Sequence, residues 1–148
     1  MNRKLQIALT SLLLPFALAI SSCDDDDPLS PEDVAGEYVA SSAEAGTRFE
    51  IIAEGETLDI LELGGTLEIE LRANGITAGR LFVPGLDEGG GDVDQNLAGE
   101  WSLRGNTVTF DINVDTFLND IEFTVRGNRL EADDTIANGT RFVLVLVK

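Results

Sequence analysis

The sequence predicts an all-β domain, an antiparallel up-and-down meander closed into a small eight- to nine-stranded barrel. The first observation is alternation: Leu67, Ile69 and Leu71 are separated by charged residues, and two later segments alternate in the same way. The second is a set of Asn-Gly or Gly-Asn pairs between strand-like runs, which is typical of tight hairpin turns. The third is the lack of a sustained helical period; residues 57–63 and 115–119 offer at most a turn or two.

Nine strands are expected along the chain, at residues 37–41, 47–53, 66–73, 76–83, 99–103, 107–113, 121–126, 129–133 and 140–147. Hairpin turns join several of them, at Asn74-Gly75, Gly105-Asn106, Gly127-Asn128 and Asn138-Gly139. A meander of this length removes its open edges by closing into a barrel, and a two-sheet β-sandwich is the alternative. The last strand is apolar on both faces, so we expect a covering element or a contact surface on its outer side.

The first 22 residues have the organisation of a secretion signal. A short basic segment precedes an apolar run, residues 5–20, which is shorter than the roughly 20 residues of a membrane-spanning helix and contains Pro15. The tetrad Ile20-Ser21-Ser22-Cys23 follows, and it resembles the lipobox of bacterial lipoproteins. This resemblance implies cleavage after residue 22 and attachment of fatty-acyl chains, such as palmitate, to Cys23. Because Cys23 is the single cysteine of the chain, an intramolecular disulfide is excluded.

The mature chain is expected to be strongly acidic. Removal of Arg3 and Lys4 with the signal leaves 27 acidic and eight basic side chains, a formal charge of −19. A surface of this sign repels nucleic acid and anionic lipid headgroups, so we expect no nucleic-acid partner. Residues 23–33 combine the acylated cysteine with an aspartate run and two prolines, which favours an extended tether. The expected organisation is therefore a signal peptide, 1–22, the tether, and a folded domain, 34–148.

Several motifs of the folded domain resemble the lipocalin-like domains of bacterial envelope lipoproteins. They are Gly36-Glu37-Tyr38, Asn74-Gly75 followed by Gly79, and Leu97-Ala98-Gly99-Glu100-Trp101-Ser102-Leu103 followed by Gly105-Asn106-Thr107-Val108-Thr109-Phe110. The resemblance spans most of residues 34–148, although the domain is shorter than a full lipocalin. It implies an eight-stranded barrel, lipocalin-like in form, that can hold a small apolar ligand.

The residue inventory argues against catalysis. The chain has no histidine and its single thiol is assigned to acylation, so Ser/His/Asp triads, Cys/His pairs and zinc sites of the His or Cys type are excluded. Strand carboxylates such as Glu68, Glu70 and Asp111 alternate with apolar residues and are expected to face solvent. We therefore expect no enzyme activity, no catalytic residue and no cofactor.

One acidic segment has a metal-like spacing. Asp92, Asp94 and Asn96 are spaced like the first ligands of a calcium-binding loop. A leucine stands where that loop needs its glycine, and Leu103 stands at its twelfth position, where a glutamate is required. We interpret residues 85–96 as a flexible acidic loop between strands and expect no metal site.

The aromatic residues indicate a core. Trp101 alternates in phase with Leu103, which favours core packing at the base of the barrel, with ligand stacking as the alternative. Five phenylalanines indicate core positions too, and several of them would line a cavity: Phe82, Phe110, Phe117, Phe123 and Phe142.

Two functions are compatible with these features. The first is a lipid-anchored cell-envelope protein that binds a small apolar ligand or an envelope component at the barrel mouth or its loops. The alternative is a structural or protein-interaction lipoprotein with a filled barrel and no ligand. In both, the acyl anchor on Cys23 attaches the protein to a membrane of the bacterial envelope, the outer membrane or alternatively the inner one.

Overall fold

The computed structural model describes residues 28–46, 57–86, 90–137 and 139–148, which form an antiparallel β-barrel. Its ten strands are β1 (Gly36–Gly46), β2 (Thr57–Asp59), β3 (Thr66–Leu71), β4 (Ile76–Val83), β5 (Val93–Asn96), β6 (Gly99–Arg104), β7 (Thr107–Ile112), β8 (Phe123–Arg126), β9 (Arg129–Thr135) and β10 (Arg141–Val147). A one-turn helix, α1 (Pro31–Val34), and a 3-10 helix, η1 (Phe117–Asn119), complete the described elements. No helix in this part of the chain is long and apolar enough to cross a bilayer.

Eight of the ten strands form the closed ring of the barrel, and β2 and β5 are additional short strands. Strands β10, β9, β8, β7, β6, β4, β3 and β1 are neighbours in that order, and β1 pairs with β10 to close the ring. Strand β2 pairs with the C-terminal end of β1, whose N-terminal end pairs with β3. In the same way, β5 pairs with the C-terminal end of β4, whose N-terminal end pairs with β6. The pairings between the described strands are antiparallel. The predicted closed barrel is confirmed, and the β-sandwich alternative is wrong.

Most predicted strands are found close to their predicted bounds. Strand β4 agrees at both ends, β1 is five residues longer than predicted at its C-terminal end, and the other predicted strands within the described residues agree to two residues. Strands β2 and β5 were not predicted. The predicted strand at 47–53 lies outside the described residues.

The folded part of the chain begins before Val34. Residues 31–33, which the sequence places in the tether, belong to α1. The Asp33 carboxylate accepts hydrogen bonds from the backbone N–H and the hydroxyl of Ser30, at 2.9 and 2.7 Å. Val34 is buried, and its carbonyl accepts the Tyr38 hydroxyl at 2.7 Å. Residues 31–33 are exposed and form a capped helical turn that leads into the buried Val34.

Inward-facing side chains fill the barrel. In β10, Phe142, Leu144 and Leu146 are buried while the intervening valines are partly exposed, as the two-residue period requires. Large side chains that are fully buried include Tyr38, Leu67, Leu71, Leu97, Leu118, Ile121, Phe123, Leu130, Leu144 and Leu146. Each such aliphatic or aromatic side chain contributes about 1.5–3 kcal/mol on burial, so this interior supplies the main driving force for folding.

One end of the barrel, here named the closed end, consists of tight turns. The turns at Gly75, Gly105 and Gly127 join consecutive paired strands, and these glycines have φ of 83°, 64° and 60°, a region that L side chains rarely adopt. These three predicted turns are confirmed, whereas Asn138 of the fourth lies outside the described residues. Helix α1 also lies at the closed end, where the Lys148 ammonium donates to the carbonyls of Asp33 and Ala35, at 3.1 and 2.8 Å.

The opposite end, here named the mouth, carries the longer connections. Among the described residues these are the turn between β2 and β3, the β7–β8 connection and the flanks of the β9–β10 hairpin. Tight turns close one end of a barrel with few side chains, whereas longer connections at the other end supply side chains that can surround a ligand.

Candidate functional site

The mouth contains a cavity of about 650 Å³. Ten of its described lining residues are apolar: Ala45, Leu58, Ile60, Leu81, Val83, Leu86, Val93, Phe117, Ile136 and Phe142. Four are polar: Gln95, Asp115, Thr116 and Asp120. Small-molecule sites have volumes of about 300–1,000 Å³ and combine a mostly apolar wall with a few polar groups, so this cavity has the size and composition of a ligand site.

The two strands that extend the ring form side walls of this cavity. Strand β2 contributes Leu58, and β5 contributes Val93 and Gln95. Asp94, between the last two, points outward, where its carboxylate accepts two hydrogen bonds of 2.8 Å from the Arg80 guanidinium. These hydrogen bonds hold the pKa of Asp94 below its ordinary value. The alternation in β5 therefore directs an apolar and an amide side chain to the cavity and its charge to solvent.

The turn between β2 and β3 is held by its own hydrogen bonds. The Asp59 carboxylate accepts the backbone N–H groups of Leu61 and Glu62, at 2.8 and 3.2 Å, and the N–H of Ile60 donates to the Ala43 carbonyl at 2.8 Å. These bonds place the Ile60 side chain, 4% exposed, in the cavity wall. The segment that sequence reasoning treated as a short helical candidate is thus a strand followed by a fixed turn.

The β7–β8 connection is clamped by one side chain. The Asn119 amide accepts the backbone N–H of Ile112 at 2.7 Å and donates to the carbonyls of Ile112 and Val114, at 3.1 and 3.2 Å. The Phe117 ring stacks on Phe142 of β10 with a centroid separation of 4.4 Å and an interplanar angle of 9°. These contacts hold the β7–β8 connection against β7 and β10, so this side of the cavity has a fixed wall.

Thr116 is the unusual polar residue of the cavity. Its side chain is 6% exposed, and its Oγ1 has no hydrogen-bond partner among the described residues. By contrast, Thr77, also buried, donates from Oγ1 to the Glu70 carbonyl at 3.0 Å. Burying a hydroxyl without a partner costs about 1–3 kcal/mol in proteins. The Thr116 hydroxyl oxygen is itself buried, so this cost falls on the stability of the mouth.

The described lining carries negative charge only. Asp115 and Asp120 are exposed acidic residues that flank Thr116 in sequence and line the same cavity. The Gln95 side chain donates from Nε2 to the backbone carbonyl of Asp115 at 3.0 Å, which ties the connection to β5. These two carboxylates repel an anion that enters the cavity.

Trp101 belongs to the closed end. It is 5% exposed, and its Nε1 donates to the Arg72 carbonyl at 2.8 Å, in the turn that follows β3. Its backbone N–H donates to the Gly75 carbonyl at 2.8 Å in the same turn. Core packing at the base of the barrel, the role predicted for this residue, is confirmed.

The five singled-out phenylalanines have three different environments. Phe117 and Phe142 line the mouth cavity. Phe110 and Phe123 pack edge to face in the core, with ring centroids 5.4 Å apart. Phe82 is partly exposed, with the guanidinium of its β4 neighbour Arg80 lying 5.6 Å from its ring centroid. The core prediction for Phe82 is therefore wrong, because its position in β4 gives it the outward face.

The three residues with calcium-like spacing, Asp92, Asp94 and Asn96, do not converge on one point. Asp92 accepts the backbone N–H of Gly85 at 3.0 Å, Asp94 binds an arginine of β4, and Asn96 accepts the N–H of Ala98 at 3.1 Å. Within residues 28–46, 57–86, 90–137 and 139–148, no group of three His, Cys, Asp or Glu residues could hold a metal ion. The interpretation of residues 85–96 as a flexible loop is wrong where β5 forms, since its backbone pairs with β4.

The outer face of β10 has partly exposed valines. Val143 and Val145 line a second groove, of about 530 Å³, together with charged residues of β8 and β9. Val147 pairs with Val39, which is 52% exposed.

The predicted lipid-attachment residue, Cys23, and the whole lipobox lie outside the described residues.

Sequence reasoning did not single out Thr116, Asp115 or Asp120. Residues 115–120 have no alternating pattern, and the missing hydrogen bond of a hydroxyl is a property of the packed structure.

Comparison of the chain with protein-family models, with curated proteins and with solved structures finds no match.

Proposed function

We propose that this protein is a lipid-anchored binding protein of the bacterial cell envelope that holds a small apolar molecule at the mouth of its barrel. The observation that carries the binding proposal is the mouth cavity, about 650 Å³ with ten apolar residues in its described wall. Transfer of apolar groups from water to such a wall stabilises a complex by about 0.8 kcal/mol for each buried methylene. The resemblance of the sequence to lipocalin-like domains supports the same activity.

The described part of the cavity wall is held by its own contacts, which favours binding. Asn119 fixes the β7–β8 connection, Asp59 fixes the β2–β3 turn, and Phe117 stacks on Phe142. A ligand that enters a fixed wall does not have to order loops, so less of the contact free energy is lost to conformational entropy.

The anchor part of the proposal rests on the lipobox tetrad that ends at Cys23. Because the mature chain would have a formal charge of −19, its net charge opposes attachment to anionic lipids, and in this proposal the acyl chains supply the attachment. The chain enters the barrel through α1 at the closed end. An anchor on Cys23 therefore attaches to the end of the barrel opposite the mouth, and the cavity is left open to the aqueous side.

The alternative function, a protein-interaction lipoprotein with a filled barrel, is favoured by a different observation. The inward side chains of the described strands pack the barrel interior with fully buried residues such as Tyr38, Leu97 and Phe123. A protein of this kind would use its outer face for contacts and would leave the mouth cavity without a ligand.

Binding is tested by native mass spectrometry of the full chain with the neutral apolar probe N-phenyl-1-naphthylamine. We expect saturable binding of one probe molecule per chain. Val93→Trp places a large ring in the cavity wall and should weaken binding at least about tenfold. Val143→Trp is the matched control, since it adds the same ring at a partly exposed valine on the outer face of the wall, and should leave binding unchanged. Absence of saturable binding, or equal loss in both variants, would contradict the proposal and favour the filled-barrel alternative.

The anchor is tested by mass spectrometry of the N-terminal peptide of the protein isolated from cells. We expect the mature chain to begin at Cys23 and to carry acyl chains. Cys23→Ala should abolish both acylation and cleavage, whereas Ser22→Ala keeps a small residue before the cleavage site and should preserve them. An unmodified N-terminus at another residue would overturn the anchor proposal.

A further inference from the structure

We infer that the outer face of β1 and β10 binds a second copy of this chain, through a two-fold axis that runs along the strands. This contact surface is separate from the mouth cavity. Its centre is a row of cross-strand neighbours on β9, β10, β1 and β3, with a cation at one end, an anion at the other and two valines between them: Arg129, Val147, Val39 and Glu68.

The four side chains of this row lie side by side on the outer face. Val147 is the register partner of both Arg129 and Val39, and Val39 is also the register partner of Glu68. Paired residues of antiparallel strands place their side chains on the same face of the sheet. Neighbouring strands are about 4.8 Å apart, so the row is about 14 Å wide. Val147 is partly exposed and the other three residues are exposed, so the row is accessible to a partner.

The apolar part of the surface continues along β10. Val39 is 52% exposed, the highest value among the large exposed apolar side chains that the structure describes. Val145, two residues before Val147, is also partly exposed, and its register neighbours are Glu131 on β9 and Ser42 on β1. Removal of these three valines from water would favour association.

The order of the charges determines how two copies can face each other. An axis along the strands reverses the row in the partner, so Arg129 faces Glu68 of the partner subunit, Val147 faces Val39 of the partner subunit, and both contacts occur twice. An axis along the row would instead place Arg129 opposite Arg129 and Glu68 opposite Glu68. Because opposite charges attract and like charges repel, the row favours the first axis.

Arg129 and Glu68 are available for contacts between two chains. Neither residue forms a salt bridge among the described residues. The next residues along the same row, Arg126 and Arg80, each bind a carboxylate of their own chain. The convex wall of a barrel also turns these two arginines away from a partner that faces the centre of the row.

Contact is expected only in the half of this face next to the closed end. Toward the mouth, Val143 has the acidic register neighbours Asp133 and Glu44, so two copies would bring like charges together there. An axis along the strands keeps both closed ends on the same side of the dimer, so two chains anchored in one membrane can form it. The surface is smaller than the interfaces of stable complexes, which bury about 1,200–2,000 Å², so we expect a weak dimer that forms where chains are concentrated on a membrane.

The experiment traps the dimer in membranes of cells that produce the full chain. Val39→Cys places a thiol beside the two-fold axis, where a short bismaleimide should link two copies. Ser102→Cys is the matched control, because Ser102 is exposed on β6, on the opposite side of the ring. The unsubstituted protein measures any linkage through Cys23. We expect at least about tenfold more linked dimer from Val39→Cys than from either control.

Charge reversals test the arrangement. In the Val39→Cys protein, Arg129→Glu and Glu68→Arg should each lower the linked fraction about three- to tenfold, because each places like charges opposite one another at both contacts. The two changes together exchange the charges and should restore linkage. Glu68→Arg also makes the acidic chain less negative, so a general effect of net charge would raise linkage in that variant instead.

Linked dimer that each single reversal reduces and the combined reversal restores would support the inference. Equal linkage from Val39→Cys and Ser102→Cys, no linked dimer, or linkage that the charge reversals leave unchanged would overturn it. Linkage of Val39→Cys to a different protein would also overturn it, because another partner would then occupy this face. None of these results bears on ligand binding, which N-phenyl-1-naphthylamine reports separately.

Discussion

The two ends of the barrel treat buried polar groups differently. At the closed end, the Tyr38 hydroxyl donates to the Val34 carbonyl and the Trp101 indole donates to the Arg72 carbonyl, so both large aromatic side chains are buried with their polar atoms satisfied. At the mouth, the buried Thr116 hydroxyl has no partner among the described residues. Satisfied polar groups stabilise a fold, and an unsatisfied one costs free energy.

This difference indicates a division of roles within one barrel. The closed end is built from tight turns, α1 and satisfied aromatic residues, which is the composition of a stable base. The mouth retains a cavity and a hydroxyl that destabilise the free protein. Natural proteins concentrate such local costs at functional sites. Substitutions at the closed end should therefore lower stability more than binding, and substitutions at the mouth should lower binding more than stability.

The largest expected effect is on stability at the closed end. Trp101→Ala removes a buried ring and one of the two hydrogen bonds that the Arg72 carbonyl accepts, so we expect a loss of about 3–5 kcal/mol in the free energy of unfolding. Phe117→Ala removes a partly exposed ring at the mouth and should cost roughly half as much, while it weakens binding of the apolar probe. Denaturant unfolding followed by circular dichroism gives both stabilities.

Equal losses for Trp101→Ala and Phe117→Ala would contradict this division of roles. Circular dichroism is required as the readout because Trp101 is the single tryptophan of the chain, and its fluorescence disappears in the first variant.

The second effect concerns two buried threonines. Thr77→Val deletes a hydroxyl that donates to the Glu70 carbonyl, and we expect a loss of about 1–2 kcal/mol. Thr116→Val deletes a hydroxyl without a partner, and we expect stability to be unchanged or to rise by up to about 1 kcal/mol. Thermal unfolding of the two variants beside the parent protein measures the difference. A clear destabilisation by Thr116→Val would show that its hydroxyl has a structural role.

The regular part of the barrel was predictable from sequence because its strands are long enough to show a two-residue period. Leu67, Ile69 and Leu71 of β3 are buried and the residues between them are not fully buried, as their order predicts. Glycines at the three closed-end turns fixed the connections between consecutive strands. Strands β2 and β5 have three and four residues, too few to show a period, and they form because a longer neighbouring strand offers backbone partners.

The site was predictable only in outline. Phe117 and Phe142 were among the aromatic residues expected to line a cavity, and both do. The unpartnered hydroxyl of Thr116 could not be predicted, because burial and hydrogen bonding of this side chain depend on the packed structure. The position of Phe82 was predicted wrongly for a related reason. Large aromatic residues are usually core residues, but the alternation of β4 directs Phe82 to the outer face, where the Arg80 guanidinium lies near its ring.

The third expected effect is a response to alkaline pH at the closed end. Burial raises the pKa of Tyr38 above the ordinary tyrosine value of about 10. The folded state therefore retains the phenol proton more strongly than the unfolded state, and the stability this provides is present below pH 10 and is lost as the pH rises through the folded pKa. Because Tyr38 is the single tyrosine, phenolate absorbance reports on it alone.

We expect the absorbance change to occur at higher pH than for free tyrosine and to coincide with loss of the barrel's circular dichroism. Tyr38→Phe removes the titrating group, so its stability should vary less with pH above 10. Titration of Tyr38 at the ordinary value, without unfolding, would show that the closed end admits solvent as readily as the mouth.

The smallest expected effect is at exposed ion pairs, which occur near both ends. Arg72 binds Glu70 at 2.9 Å beside the closed end, and Arg141 binds Asp133 beside the mouth. In each pair the hydrogen bond from arginine lowers the pKa of the carboxyl group, so any stability it provides is present above the unfolded pKa and is lost as the pH falls through the folded one. Both pairs are exposed, and water screens them.

We therefore expect Arg72→Gln and Arg141→Gln to lower the melting temperature only slightly at pH 7 and low salt. Most of that decrease should come from the removal of a positive charge, which makes an already acidic protein more negative, rather than from the lost contact. It should then disappear in 1 M salt, where the screening length is about 3 Å. A larger loss at one end that persists in salt would mean that surface charge, and not only the burial of polar groups, distinguishes the two ends of the barrel.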